Sequence, residues 1–260
     1  MGLNYSVINH INADGLNQMQ DYPATKSAGT YRIITIGDSF TYGENVNTQE
    51  NYPSQLENLL NSKLQCKNIK KFEVLNLGVG AYDIPYTVER YKLKGQKYSP
   101  NLVLWLFIGD DLFRADEELI PLAQKYEDQE KTSGEYQKLT KKGIYYQAWT
   151  DAENKIINEA GGKDAMLKLQ LANLKQINTL YTGPLIVFTF PYNQQSIIDT
   201  LKEFVNSRKN TYFYDGLPDI YQNSNLYLPD QHPSSQGYTA IVNNLYGYLT
   251  QNNIIPCQKL

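Results

Sequence analysis

Two short segments near opposite ends of the chain carry residue types that could do nucleophilic chemistry together: Gly37-Asp38-Ser39-Phe40-Thr41-Tyr42-Gly43 and Pro229-Asp230-Gln231-His232-Pro233. A serine hydroxyl is a poor nucleophile until a base takes its proton, and that base needs an acid to fix its tautomer. Ser39 offers the hydroxyl, His232 the base and Asp230 the acid. If residues 230–232 run extended, positions i and i+2 share a side, so Asp230 can face the ring nitrogen that points away from Ser39. Taken singly, each residue has a plainer explanation, because a serine after a strand usually caps or turns the chain. Their conjunction is what points to catalysis. Asp38 reads as structural, accepting backbone amides to tie down the serine's turn.

Residues so far apart in sequence meet only if the intervening elements bring them together. Short β-branched runs alternate with helical periods, the pattern of a parallel sheet covered on both faces. The runs are Arg32–Ile36, Phe72–Leu77, Leu102–Ile108, Leu185–Phe190 and Tyr212–Tyr214. Amphipathic stretches lie between them, at Tyr52 to Leu60, Ile84 to Tyr91, Leu167 to Leu174 and Ile197 to Val205. A last helix starts behind Ser234 and Ser235 and carries Tyr238, Ile241, Val242, Leu245 and Leu249 on one face. In such a sheet, ligands sit outside the carboxyl ends of the strands. Four segments therefore converge on one edge: those at Ser39 and His232, Gly78-Val79-Gly80-Ala81-Tyr82-Asp83 after the second run, and Gly109-Asp110-Asp111 after the third. Residues 1–30 are polar and hold the turn signals Asp14-Gly15 and Tyr22-Pro23, so they read as an arm lying on the main domain of residues 31–260. The charged stretch from about 113 to 162 is long for a connection and reads as a lid-like insertion with helical pieces.

Composition removes several function classes. Lys and Arg total 24 against 27 Asp and Glu, with no long run of either sign, which leaves no electrostatic footprint for nucleic acid. Two cysteines, Cys66 and Cys257, and two histidines, His10 and His232, are too few and too scattered for a metal cluster, so neither metal nor cofactor is expected. No apolar run is long enough for a membrane span, and no leader segment is evident. Tyrosine stands out at 22 residues; its flat face and single hydroxyl suit a sugar-binding surface, although ordinary half-buried positions account for it as well.

The segment Arg32-Ile-Ile-Thr-Ile-Gly-Asp-Ser-Phe-Thr-Tyr-Gly43, the Asn76-Leu-Gly-Val-Gly80 turn, the Gly109-Asp-Asp block and Asp230-Gln-His-Pro233 resemble, in order, the sequence blocks of the SGNH (GDSL) hydrolase superfamily. The resemblance implies a flavodoxin-like three-layer α/β/α fold with a five-stranded parallel sheet. It also implies a serine nucleophile, a histidine base, an aspartate partner, and an oxyanion hole made by the serine amide, a glycine amide and an asparagine side chain. Three departures are visible. The family's acid commonly stands three residues before the histidine, which here is Pro229, so Asp230 is the candidate, with Asp215 or Asp219 as fallbacks. The second-block glycine aligns with Ala81, with Gly80 beside it; a need for positive φ there would favour Gly80. The third-block asparagine is replaced by Asp110, which can donate to an oxyanion only when protonated, a state that Asp111 or Asp83 could favour.

The function implied is hydrolysis of an acyl ester, O-acetyl above all, on a small molecule or a polysaccharide. An O-acyltransferase and a carbohydrate-binding domain with decayed hydrolysis remain as alternatives. The implied topology brings the ends of the first and last helices together, so a Cys66–Cys257 disulfide is open to an exported protein, with two separate buried thiols preferred. Relatives with this kind of arm often follow a membrane anchor, which makes an extracytoplasmic location the expectation.

Overall fold

The computed structural model describes residues 6–109, 111–133, 141–191 and 193–258. Five strands, β1 (Thr30–Ile36), β2 (Lys71–Asn76), β3 (Leu102–Phe107), β4 (Leu185–Thr189) and β5 (Thr211–Tyr214), pair in parallel in the order β2-β1-β3-β4-β5. All five expected runs are strands, within a residue or two at each end. Ile33, Ile34 and Ile36 of β1 and the whole of β3 are buried, as sheets covered on both faces require.

The helices are α1 (Ser39–Tyr42), α2 (Tyr52–Lys63), α3 (Ile84–Arg90), α4 (Asp116–Ser133), α5 (Lys141–Glu159), α6 (Lys163–Lys175), α7 (Ile177–Leu180), α8 (Gln195–Asn206) and α9 (Ser235–Gln251). One face of the sheet packs on α3, α6 and α8 through Ile84, Val88, Leu171, Leu174, Leu201 and Phe204, with α4 and α5 joining through Leu119, Ala152 and Ile156. The opposite face packs on α2 and α9 through Leu56, Leu60, Ile241 and Leu245. The result is the doubly wound three-layer architecture, with its topological switch between β1 and β3, where the chain leaves β1 toward β2 on one side and β3 on the other. In sheets of this kind ligands bind outside the carboxyl ends of the strands flanking such a switch.

Residues 7–29 carry no strand or helix, yet they are tied to the domain. Leu16 and Tyr22 are buried, and the Gln18 side chain donates to Val74 O at 3.1 Å and accepts from Asn76 N at 2.8 Å. The Glu57 carboxylate of α2 accepts from Val74 N at 2.6 Å. These contacts satisfy the free backbone groups of β2, an edge strand that would otherwise be open to pairing with another chain.

In the connection from α2 into β2 the structure corrects the reading of two separate thiols: Cys66 there and Cys257 beyond α9 form a disulfide, their Cα atoms 5.1 Å apart. The two chain segments also strap each other, with Lys67 N donating to Gln258 O at 2.8 Å and Gln258 N donating to Asn68 Oδ1 at 2.9 Å. The backbone had already aligned the two cysteines. Among the described residues, no helix is long and apolar enough to cross a membrane, and no group of metal-ligating side chains gathers.

Candidate active site

Ser39 opens the single turn of α1 directly after β1, and each flanking residue has a local reason to be there. Gly37 has φ 143°, and a Cβ at that position would stand 2.5 Å from Thr41 Oγ1 and 3.0 Å from Leu106 O, so only glycine lets the chain leave β1 here. Asp38 is buried and caps α1 by accepting from Phe40 N at 2.9 Å. The turn is therefore a sharp strand-to-helix bend with the Ser39 side chain at its crest. Gly78 lets the second-block turn lie against this bend, since a Cβ there would meet Tyr42 N at 2.4 Å.

His232 comes from the other end of the chain. Tyr227 and Pro233 form an antiparallel bridge, Gln231 N donates to Leu228 O at 2.9 Å, and Leu228 N donates to His232 O at 2.7 Å. These bonds define a tight hairpin with Pro229 and Asp230 at its tip and Gln231 in the left-handed region at φ 75°, the geometry of a short loop closed by a left-handed residue. The expected extended run over 230–232 is thus incorrect. What brings Asp230 and His232 to one side is a turn, fixed further by His232 N approaching Asp230 Oδ1 at 3.3 Å and by the Tyr221 hydroxyl donating to Gln231 O at 2.9 Å. Ser234 then caps α9 by accepting from Gly237 N at 3.1 Å.

The two segments meet. His232 Nε2 lies 2.8 Å from Ser39 Oγ across 193 residues of sequence, and the imidazole packs 5.2 Å, centroid to centroid, from the Phe40 ring. On its far side, His232 Nδ1 lies 3.1 Å from Asp230 Oδ2. That separation is of hydrogen-bond length, but the carboxylate stands off the N–H axis, so the contact is a close approach rather than an aligned bond. The same oxygen accepts from the Asn45 side-chain amide. Asn45 follows the nucleophile turn with φ 59°, a conformation asparagine tolerates better than most residues.

The remaining sequence candidates divide. Val79 to Tyr82 form a β-turn, closed by Tyr82 N donating to Val79 O at 3.2 Å. Positive φ falls on Ala81 (63°) and not on Gly80, the reverse of the expectation. A β-turn with only its third residue left-handed is of the type II kind, which favours glycine there; alanine costs about 1–2 kcal/mol. Asp110 lies outside the described residues. Its suggested neighbours are both occupied: Asp83 caps α3 by accepting from Tyr86 N at 3.0 Å, and Asp111 Oδ2 accepts from Ile108 N at 2.9 Å. Asn76 is also structural, its amide spanning Gly78 N and Tyr42 O. Asp215 approaches Lys202 and Asp219 caps the turn at Tyr221, so neither fallback acid serves His232. His10, with Nδ1 2.6 Å from Gln18 O, belongs to the arm.

Sequence reasoning missed Asn45 and Asn193. Asn193 follows β4, is buried, and donates its side-chain amide to Thr189 Oγ1. The strand-end rule, applied to the fourth run as it was to the first three, would have found it. Asn45 had no comparable signal.

Three carboxylates, Asp38, Glu44 and Asp230, act together on Tyr238, whose phenol is pushed well above its ordinary range by burial first and by Asp38 next. Tyr238 is therefore a neutral neighbour beneath a locally anionic site. A cleft of about 350 Å³ opens beside the carboxyl ends of β3 and β4, lined by Gly109, Phe113, Glu153, Asn154, Lys163 and Asn193 among others. Another, of about 500 Å³, lies beside the disulfide at the opposite edge and holds none of the strand-end residues.

Neither protein-family models nor curated proteins match the sequence. Solved structures do. The lipase/acylhydrolase of Enterococcus faecalis superimposes with a TM-score of 0.53 at 13% identity, over 85% of this chain and 96% of that one. The psychrotrophic esterase EstA of Pseudoalteromonas sp. gives 0.52 at 13% identity, over 85% and 97%. A two-domain esterase active on acetylated mannans gives 0.50 at 11% identity, covering 86% of this chain but only 50% of that one.

Proposed function

We propose that this chain, whose fold is that of the SGNH hydrolases, is a serine esterase, and that the observation carrying this reading is the 2.8 Å contact between Ser39 Oγ and His232 Nε2. Because Nε2 accepts the serine proton, Nδ1 carries the other proton and faces Asp230, so the tautomer follows from the contacts on the two sides of the ring. In the forward step Ser39 Oγ attacks the ester carbonyl while His232 takes its proton. The tetrahedral intermediate collapses, His232 returns the proton to the departing alcohol, and an acyl group remains on Ser39. Water, activated by the same imidazole, then releases the acid. The Ser39 amide and the Gly80 or Ala81 amide are the donors assigned to the oxyanion, with Asp110 as the sequence-based fourth candidate.

The surroundings favour a neutral ester. Asp38, Glu44 and Asp230 make an anionic locale that stabilises the transient imidazolium and opposes an anionic substrate. The cleft at Gly109 presents an amide, a carboxylate, an ammonium and the Phe113 ring, a mixture that suits a hydroxylated alcohol such as a sugar better than a long acyl chain. An O-acetylated sugar is accordingly the proposed substrate class, and α5 and α6, which contribute Glu153, Asn154 and Lys163, frame its entry. Pairing of Cys66 with Cys257 fits work in an oxidising compartment.

The test is hydrolysis of p-nitrophenyl acetate and of an acetylated xylo-oligosaccharide by the protein and by Ser39→Ala, with fluorophosphonate labelling read by mass. Turnover abolished by the substitution, and one label on Ser39, are expected. An unlabelled serine with no turnover returns the chain to the binding-domain reading, and acetyl transfer to an added sugar in preference to water assigns the transferase.

A further inference from the structure

The Asp230 carboxylate stands at the tip of its hairpin, 30% exposed. Among the described residues its own hairpin reaches it through the backbone once, where His232 N approaches Oδ1 at 3.3 Å. The bond from across the site is made by the side-chain amide of Asn45, which donates to Oδ2, the same oxygen that faces His232 Nδ1. An aspartate that borders solvent has more than one staggered rotamer open to it, and its hydrogen bonds select among them. An N–H bond to a carboxylate is charge-assisted, so it weighs about twice as much in that choice as a neutral bond.

Asn45 is in turn fastened to the nucleophile. Ser39 O accepts from Gly43 N at 2.9 Å and from Glu44 N at 3.1 Å, and Val46 N donates to Gly43 O at 3.4 Å, so residues 39–46 form one wound turn. Val46 is buried and anchors that turn in the core. The contacts close a ring: Ser39 Oγ to His232 Nε2, His232 Nδ1 to Asp230 Oδ2, Asp230 Oδ2 to the Asn45 amide, and Asn45 back to Ser39 along the turn. The hairpin alone registers acid against base; the ring registers both against the nucleophile. The backbone at position 45 narrows which residue can do this. At φ 59° it favours glycine, asparagine and aspartate. Glycine has no donor and aspartate would add a second carboxylate, so asparagine is the residue of the three that meets the turn and supplies an N–H.

We propose that Asn45 is a positioning residue of the esterase: its amide holds the exposed Asp230 carboxylate beside the His232 ring and ties it to the turn that carries Ser39. The inference rests on the serine-esterase reading and adds a fourth side chain to its machinery, one that acts only through the acid.

Asn45→Gly removes the amide and leaves the left-handed backbone unstrained, so its Tm is expected within about 4 °C of wild type. The loss of rate cannot exceed the contribution of the carboxylate being held. On p-nitrophenyl acetate kcat should therefore fall about fivefold to thirtyfold, with KM within about threefold. Fluorophosphonate labelling of Ser39 should slow in parallel, because it too needs an activated serine. Coupling separates positioning from structural damage. In an Asp230→Ala background there is no carboxylate to hold, so adding Asn45→Gly should change kcat by less than about twofold, whereas a merely structural asparagine costs the same in both backgrounds. If the glycine variant does not fold, Asn45→Asp keeps the shape and the left-handed preference; its charge repels Asp230, and kcat should fall at least as far, less so at high salt. Unchanged or raised kcat in whichever variant folds, or a loss undiminished in the Asp230→Ala background, overturns the inference. The underlying reading fails separately, through a wild-type protein whose Ser39 takes no fluorophosphonate and turns over no ester.

Discussion

Replacing Asp230 by asparagine keeps the shape of the hairpin tip and removes one charge, so the rate it costs measures how strongly the carboxylate supports the imidazolium formed during catalysis. The separation is 3.1 Å. Two unit charges at that distance attract by about 5 kcal/mol at an effective dielectric of about 20, and by about 1.3 kcal/mol in bulk water. The His232 and Asp230 side chains remain 20% and 30% exposed, and the carboxylate is off the N–H axis, so neither limit applies. A value near 2–3 kcal/mol follows, or roughly 30- to 150-fold in kcat. This is far below the ten-thousandfold or so that a buried, aligned aspartate confers, and below the roughly millionfold loss expected for removing the serine or histidine itself. The assay is steady-state hydrolysis of p-nitrophenyl acetate by Asp230→Asn, Ser39→Ala and His232→Ala, at about 20 mM and 500 mM salt. An exposed pair is screened, so the gap between wild type and Asp230→Asn should narrow at the higher salt. A loss below about threefold would mean that Asp230 does not orient the base. One of about ten-thousandfold would mean that the pair behaves as buried and aligned, against its geometry.

Four further outcomes follow from the same geometry. Asp110→Asn restores an amide donor at the position where the resemblance expects one, so kcat near neutral pH should rise by tenfold or more; no change in rate or pH profile removes position 110 from the oxyanion. Replacing both Cys66 and Cys257 by serine opens a loop of 191 residues, a loss of up to about 5 kcal/mol on chain-entropy grounds and about 10 °C or more in Tm; a Tm unchanged within a degree contradicts this. Gln231→Gly relieves the left-handed residue of the hairpin and should raise stability by about 0.5–1 kcal/mol in urea unfolding, whereas a decrease would mean that the glutamine side chain contributes contacts not considered. Burial pushes the Glu57 carboxyl above its ordinary range, so its favourable share of stability is complete below its unfolded pKa of about 4.5 and is lost as pH rises through the higher folded value; the Tm of Glu57→Gln relative to wild type should therefore improve between pH 4 and pH 7, and a constant difference refutes it.

The sheet was legible because strands buried on both faces must be apolar throughout, and Leu102 to Phe107 or Leu185 to Thr189 can be nothing else in a chain of this pattern. The last helix was legible through its cap, Ser234, and a single apolar face. What escaped reading depends on backbone dihedrals or on partners distant in sequence. The hairpin at 227–233 looks extended because its left-handed residue is Gln231, which carries no turn signal, where a glycine would have announced it. The positive φ at Ala81 is hidden for the same reason, since a left-handed residue in that turn would be sought first at its glycine neighbour. The disulfide joins positions 191 apart, and Asn45 reaches Asp230 across 185 residues. No local pattern encodes either.

Structural duty is the fair competitor to catalysis at each polar residue of the site, and it accounts for most of them. Asp38 caps α1, Asp83 caps α3, Asp111 holds Ile108 N, and Asn76 joins Gly78 to Tyr42; each would be retained by a protein that needed only to fold. The imidazole of His232 differs. Its backbone closes the hairpin through Leu228, a task any residue could perform, while the ring is turned to Ser39 Oγ on one side and Asp230 on the other. The Ser39 hydroxyl is likewise not needed for the cap, which Asp38 provides. A part-buried hydroxyl and a part-buried imidazole bonded to each other add little to stability, since such a neutral pair is worth about 1 kcal/mol net. Folding thus explains the frame but not the two groups it brings within 2.8 Å, and chemistry at that contact is the economical reason for both.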